Sequence, residues 1–136
     1  MIVANSNLLA YLMLGGPEAE DAERVFRRDP VWAVPVLWRS EFRSILAGYQ
    51  RQRGQPVADA AAVNELAERL LAGREYSVRG DAVLQLVAES SCSAYDCEYV
   101  ALARELQVPL VTWDRQVLRA FPAVAIAGPA FAGGSV

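Results

Sequence analysis

The chain of 136 residues contains no histidine and no lysine, so all thirteen of its basic side chains are arginine. Without histidine, no Ser-His-Asp or Cys-His triad can form, and histidine-based ribonuclease sites are excluded. Without lysine, a Walker-type P-loop lacks its cation, and Schiff-base chemistry has no amine apart from the N-terminus. The two cysteines give zinc a poor set of ligands. These absences leave carboxylate chemistry, with or without a hard metal ion.

Charge and cysteine content narrow the class of protein further. The net charge of -3 excludes a strongly basic nucleic-acid clamp, although a local arginine patch is compatible with this balance. Cys92 and Cys97 form no metal or disulfide framework, which is typical of a cytoplasmic protein with reduced thiols. The opening residues 1–16 lack a positively charged segment and a cleavage site, so we expect neither a signal peptide nor a membrane span.

Short apolar runs alternate with helical segments along the whole chain, which predicts one α/β domain with a mainly parallel sheet. The domain should cover residues 1–127, and residues 128–136 should form a loose C-terminal tail. Predicted strands cover residues 1–4, 31–34, 75–78, 109–113 and 123–127. Predicted helices cover residues 8–12, 18–28, 36–53, 57–72, 81–89, 94–106 and 115–120.

Three polar residues interrupt the apolar pattern where a site is expected, at the carboxyl ends of the strands. Asn5 follows the first strand, and Asp114 follows the apolar run 110–113. Asp96 lies in the first turn of the helix that leads into that run. Each of them alone is better explained as an ordinary helix cap, but together they could converge on one edge of the sheet.

Glu41 falls inside the apolar stripe of its helix, three and four residues from Trp38, Leu37 and Ile45. A carboxylate in such a stripe is costly unless it pairs with a cation. One explanation is a buried ion pair, which Arg39 and Arg43 cannot easily supply from the neighbouring faces. The other is that Glu41, Asp96 and Asp114 form a pocket for a hard divalent ion, Mg²⁺ or Mn²⁺.

At this point the residues resemble the PIN domain family, and within it the VapC toxins of bacterial toxin–antitoxin pairs. The opening M-I-V-A-N-S-N is similar to the family's strand followed by Asp-Ser/Thr-Asn/Ser. Residues 34–41 resemble its Pro-then-Glu helix, residues 94–103 its Tyr-Asp helix start, and residues 110–115 its final Thr-x-Asp-Arg motif. The four motifs occur in the family's order and spacing from Met1 to about Ile126.

The resemblance implies a three-layer α/β/α fold and cleavage of RNA, commonly tRNA or ribosomal RNA. The family's four acids bind Mg²⁺ or Mn²⁺, and water activated by the ion attacks the phosphodiester. Here the matching positions are Asn5, Glu41, Asp96 and Asp114, while Ser6 and Thr112 would hydrogen-bond the acids. The resemblance also implies a VapB-like antitoxin, whose basic segment would occupy the acidic groove, and a homodimer.

The chain departs from the family at its most important position, because residue 5 is Asn where the family has Asp. The amide still offers an oxygen, but the loss of one negative charge should weaken metal binding. Asn5 is either an engineered change that silences a toxin or a natural change in a weakened homologue, and the otherwise intact motifs favour the first. A PIN-like module that binds RNA or protein without cutting is the alternative. A receiver or haloacid-type phosphatase is excluded, because both need a lysine.

Several further side chains allow a functional and a structural interpretation. Arginines near the acids in sequence are either RNA-phosphate contacts or solvated surface residues: Arg39, Arg43 and Arg115. Trp38 and Trp113 either stack on bases or belong to the core, which we favour, and Tyr95 is expected to pack. The apolar residues of the first helices form either a dimer surface or ordinary core: Leu8, Leu9, Leu12, Leu14 and Val25.

Overall fold

The computed structural model describes residues 1–133, which form five strands and eight helices. The strands are β1 (Ile2–Ala4), β2 (Trp32–Pro35), β3 (Glu75–Tyr76), β4 (Leu110–Thr112) and β5 (Ala125–Ala127). The helices are α1 (Ser6–Leu14), α2 (Ala19–Arg28), α3 (Trp38–Arg53), α4 (Val57–Leu70), α5 (Gly80–Ala88), α6 (Ala94–Leu106), α7 (Arg115–Ala120) and α8 (Gly128–Gly133).

All five strands are parallel and stand in the order β3-β2-β1-β4-β5. The central strand β1 pairs on one side with β2, where Val3 faces Ala33, and on the other with β4, where Ala4 faces Val111. The chain builds the sheet from β1 outward to β3 and then adds β4 on the opposite side of β1. The order therefore reverses between β1 and β4, the place where α/β sheets bind ligands.

Alternating residues of the short strands serve two hydrophobic cores, one on each face of the sheet. Ile2 and Ala4 contribute to the core beneath α1 to α4, whereas Val3 contributes to the core beneath α5 to α7. Both faces of β1 are buried, which explains why its sequence is uniformly apolar. The three-layer α/β/α arrangement with a parallel sheet confirms the predicted fold class.

The prediction of a loose tail was wrong for residues 128–133, which form α8 and pack against α2, β4 and β5. The guanidinium of Arg28 donates a hydrogen bond of 2.8 Å to the carbonyl of Phe131 and lies 4.8 Å from its ring centroid. The composition of this segment did not predict a helix, because its main packing partner, α2, lies about a hundred residues earlier in the sequence. The rest of the predicted tail, residues 134–136, lies outside the described residues.

The structure also decides between the core and surface interpretations of several apolar residues. Trp38 is fully buried, as are Leu8, Leu9 and Val25, so these side chains belong to the core. The expectation that Tyr95 packs was wrong, because its side chain is 62% exposed at the start of α6. Within residues 1–133, no helix combines the length and apolarity needed to cross a bilayer.

Candidate metal centre at the carboxyl edge of the sheet

The carboxyl ends of β1 and β4 are joined by the side chain of Asn7. Its amide nitrogen donates to the Thr112 hydroxyl at 3.3 Å, and its carbonyl accepts from the Trp113 backbone N–H at 3.4 Å. The Asn5 backbone N–H adds a third link by donating to the carbonyl of Val111 at 3.2 Å. Asn7 thus holds the two strand ends in register at the point where the sheet order reverses. Asn7 belongs to the opening motif M-I-V-A-N-S-N but was assigned no role from the sequence, although its position two residues past Asn5 was a usable signal.

Asp114 stands at this edge as the N-cap of α7. One carboxylate oxygen accepts from the Val117 backbone N–H at 3.0 Å, and the other is left for a ligand. Thr112, which is fully buried, accepts a 3.0 Å hydrogen bond from the backbone N–H of Asp114. The contact of Thr112 is therefore to the backbone rather than to the carboxylate, and it fixes where Asp114 leaves the strand.

Asp96 lies in the first turn of α6, which Ser93 caps by accepting a 3.1 Å hydrogen bond from the Asp96 backbone N–H. This is half of the capping box that residues 93–96 resemble. Burial raises the pKa of the Asp96 carboxyl, and the negative charge of Asp114 raises it further. The two aspartates are therefore close enough to repel each other.

Glu41 lies half-buried in the first turn of α3 and accepts a 2.6 Å hydrogen bond from the hydroxyl of Tyr99. Burial is the main cause that raises the pKa of the Glu41 carboxyl, and the charges of Asp96 and Glu98 add to it. The hydroxyl of Tyr99 opposes that rise by hydrogen bonding to the charged form, and the nearby hydroxyl of Ser6 opposes it to a smaller extent. The charge of Asp96 thus acts on Glu41, as the charge of Asp114 acts on Asp96, and we call these three residues the acid cluster.

Tyr99 was not identified from the sequence as a site residue. Its ring is 1% exposed, and its pKa is raised strongly, first by burial and then by the Glu41 charge. Tyr99 lies three residues after Asp96 on α6, so both side chains lie on the same side of that helix. That spacing was the available signal, and it places a hydrogen-bond donor against the carboxylate of Glu41.

Asn5 is the position at which the site differs from the family's pattern of four acids. Its side chain is 6% exposed, and its oxygen caps α1 by accepting from the Asn7 backbone N–H at 3.4 Å. The hydroxyl of Ser6 donates to the same oxygen at 3.5 Å. The amide nitrogen of Asn5 is buried without a hydrogen-bond partner among the described residues. An aspartate here would cap the helix equally well and present a second oxygen where this nitrogen now lies.

The carboxylate oxygens at this edge are chemically suited to a hard cation, but too few of them are grouped together to hold one. Carboxylate oxygens suit Mg²⁺ or Mn²⁺, and none of the ion pairs within residues 1–133 involves the acid cluster. In the same part of the chain, however, no three acidic or cysteine side chains are grouped so that they could hold one ion. The buried amide nitrogen of Asn5 has no hydrogen-bond partner among these residues, and an aspartate at position 5 would place an oxygen there instead.

The three arginines considered as RNA contacts lie in different surroundings. Arg39 donates two hydrogen bonds to Glu75, at 2.6 and 2.8 Å, and also pairs with Glu68. Arg43 pairs with Glu68 at 3.4 Å. Arg115 is exposed at the start of α7, directly after Asp114. The first two guanidiniums are held by carboxylates beside the site, whereas Arg115 stands at its rim.

Comparison with known proteins places this architecture in a family. The crystal structure of PAE2754 from Pyrobaculum aerophilum matches the fold with a TM-score of 0.70 at 22% sequence identity, over 98% of this chain and 96% of that one. A search of curated proteins finds no significant match. The family model of the PIN domain matches residues 2–124. The chain therefore belongs to the PIN domain family, whose members are in general metal-dependent nucleases.

Proposed function

We propose that this chain has the framework of a metal-dependent endoribonuclease of the VapC type, weakened in this form by Asn5. The observation that carries the proposal is the buried amide nitrogen of Asn5, which lies at the switch point of the sheet and has no partner among the described residues. Asp96, Asp114, Glu41 and an aspartate at position 5 would hold Mg²⁺ or Mn²⁺. When bound, such an ion activates water and stabilises negative charge at a phosphodiester.

The chain's own residues position these ligands. Thr112 and Asn7 fix the point at which Asp114 leaves β4, and the hydroxyl of Tyr99 orients the carboxylate of Glu41. Burial is the main cause of the raised carboxyl pKa values of Glu41 and Asp96, and repulsion from a neighbouring acid adds to it. A divalent ion would relieve that repulsion.

The partners follow from the same proposal. The substrate would be RNA, probed first with tRNA and ribosomal RNA, and Arg115 is the arginine best placed to contact its phosphates. A VapB-like antitoxin with a basic segment would neutralise the acid cluster, and the toxin would act in the cytoplasm as a homodimer. A short reading frame directly upstream that yields a co-purifying protein would support the antitoxin, and size-exclusion chromatography would test the dimer.

A second candidate is a PIN module that binds RNA or protein without cutting it. The observation in its favour is that, within residues 1–133, the acids present are not grouped in a set of three that could hold an ion. If the source genome encodes Asn at position 5, this second candidate gains support.

The decisive experiment restores the missing carboxylate with Asn5→Asp in the full chain. We expect this variant to gain thermal stabilisation by Mn²⁺ and to release discrete fragments from total RNA in Mg²⁺ or Mn²⁺. The matched control is Gln52→Glu, which adds the same charge at an exposed position of α3 and should behave like the starting chain. Absence of both effects in Asn5→Asp, or cleavage that survives the addition of Glu41→Gln, would contradict the proposal.

A further inference from the structure

A second concave surface opens at the same edge of the sheet as the acid cluster. It follows the carboxyl ends of β2 and β3, because Val36 comes directly after β2 and Ser77 directly after β3. We call it the β3 groove. It has a volume of about 470 Å³, and its walls come from these two strand ends and from α5 and α6.

The walls of the β3 groove are apolar and poorly covered. Val36 is 48% exposed and Leu84 is 66% exposed, and Val78 continues the apolar surface between them. Tyr76 adds a half-buried aromatic ring. Exposed apolar surface next to an aromatic ring is the kind of surface on which an unstacked nucleobase packs.

One carboxylate interrupts these walls. Glu98 lines the groove from α6, and among residues 1–133 no arginine and no second acid joins it there. An ionised carboxylate only accepts hydrogen bonds, so a ligand in the groove must present N–H or O–H donors to it. The absence of a cation among the lining residues speaks against a phosphate in this position.

The β3 groove and the candidate metal centre share helix α6 and the carboxyl edge of the sheet. Glu98 lies two residues after Asp96, so the two side chains leave different sides of this helix, and the electrostatic influence of Glu98 extends to Glu41. Pro35 at the end of β2 pairs with Tyr76 at the end of β3, which brings the groove beside the start of α3. A strand of RNA that follows this edge of the sheet would therefore pass both the acid cluster and the groove.

We propose that the β3 groove receives one unstacked base of single-stranded RNA and that Glu98 selects guanine over uracil there. Guanine presents two adjacent N–H donors on its Watson–Crick edge, which match the two oxygens of a carboxylate. Uracil presents one N–H between two carbonyl oxygens, which the carboxylate repels. Glu98 would then be a specificity-determining residue of the nuclease proposed above, and the inference rests on that function only in taking RNA as the ligand.

The test measures binding without requiring cleavage. Fluorescein-labelled RNA hexamers of uridine, with or without one central guanosine, are titrated with the full chain in low salt and EDTA, and anisotropy is recorded. We expect the guanosine hexamer to bind about tenfold more tightly, as for one good bidentate base contact. Glu98→Gln should reduce this preference to less than about twofold, since its amide presents a donor in place of one acceptor.

Two control variants keep the result interpretable. Glu105→Gln removes the same charge from an exposed position of the same helix and should keep the full preference. Leu84→Glu, at an exposed position that tolerates a polar side chain, should weaken binding of both hexamers. Circular dichroism and the unfolding temperature of each variant establish that it is folded.

Three outcomes would overturn the inference: equal binding of both hexamers, a preference that survives Glu98→Gln, or a groove that binds an arginine-rich peptide but no RNA. If the guanine preference depends on Glu98 but the Asn5→Asp variant cuts no RNA, the proposal for the β3 groove stands and the proposed nuclease function is refuted. The two proposals therefore fail separately.

Discussion

The hydrogen bond between Tyr99 and Glu41 makes a quantitative prediction. Tyr99→Phe removes only the hydroxyl, which donates at 2.6 Å to a half-buried carboxylate. A hydrogen bond to a charged group contributes about 1.5–3 kcal/mol, so we expect a loss of that size in the free energy of unfolding near neutral pH. For a domain of this length the unfolding temperature should fall by about 5–12 °C.

The same variant should show a characteristic dependence on pH. Burial already raises the pKa of Glu41 in the folded state, and the Tyr99 hydroxyl opposes that rise. A carboxyl whose pKa is raised by folding contributes stability at low pH and loses it as the pH rises through the folded pKa. Because Tyr99→Phe raises that pKa further, its destabilisation should be full at about pH 7.5 and smaller at about pH 5.

Urea unfolding followed by tryptophan fluorescence at both pH values measures this loss. The matched control is Tyr95→Phe, a residue of the same helix whose side chain is 62% exposed, and its stability should not change. A loss below about 0.5 kcal/mol, or an equal loss at both pH values, would show that the hydroxyl does not stabilise the charged form of Glu41.

Three more predictions concern the fold around the site. In Gly128→Ala the new Cβ would overlap the ring of Trp113, so we expect a loss of about 1–3 kcal/mol in the free energy of unfolding and a shifted tryptophan emission. The control Gly48→Ala meets nothing within 4 Å and should leave both unchanged or add slightly to stability. Glu75→Ala leaves the indole N–H of buried Trp38 without its 2.7 Å partner and should cost about 1–3 kcal/mol in urea unfolding. Because burial raises the pKa values of two carboxyls in the acid cluster, the unfolding temperature should rise as the pH is lowered from about 7 to about 5; a monotonic fall over this range would contradict the repulsion described above.

The sequence was sufficient for those parts of the fold that depend on local pattern. The alternation of apolar runs with helical segments predicted the parallel α/β sheet, and the position of Glu41 inside an apolar stripe singled it out. The helix predicted over residues 36–53 ends where expected, because Gly54 closes it in the left-handed conformation with φ 62°. Each of these inferences uses residues within a few positions of one another.

The remaining features depend on contacts between distant parts of the chain. The hydrogen bond from Asn7 to Thr112 spans 105 residues, and that from Tyr99 to Glu41 spans 58. Neither pairing has a local signature, because asparagine after a strand and tyrosine in a helix both have common local explanations. The exposure of Tyr95 was missed for a related reason: hydrophobicity favours packing, but only the helix orientation decides which side chain meets the sheet.

The contact that Asn7 makes between β1 and β4 joins segments that the ribosome synthesises at different times. The polar segment after β1 is translated 105 residues before its partner Thr112. The acid cluster therefore cannot form before the segment that carries Thr112 and Asp114 has left the ribosome, however early β1 and β2 associate. A nuclease built in this way would stay inactive on the nascent chain until that later segment has been translated and has paired with β1.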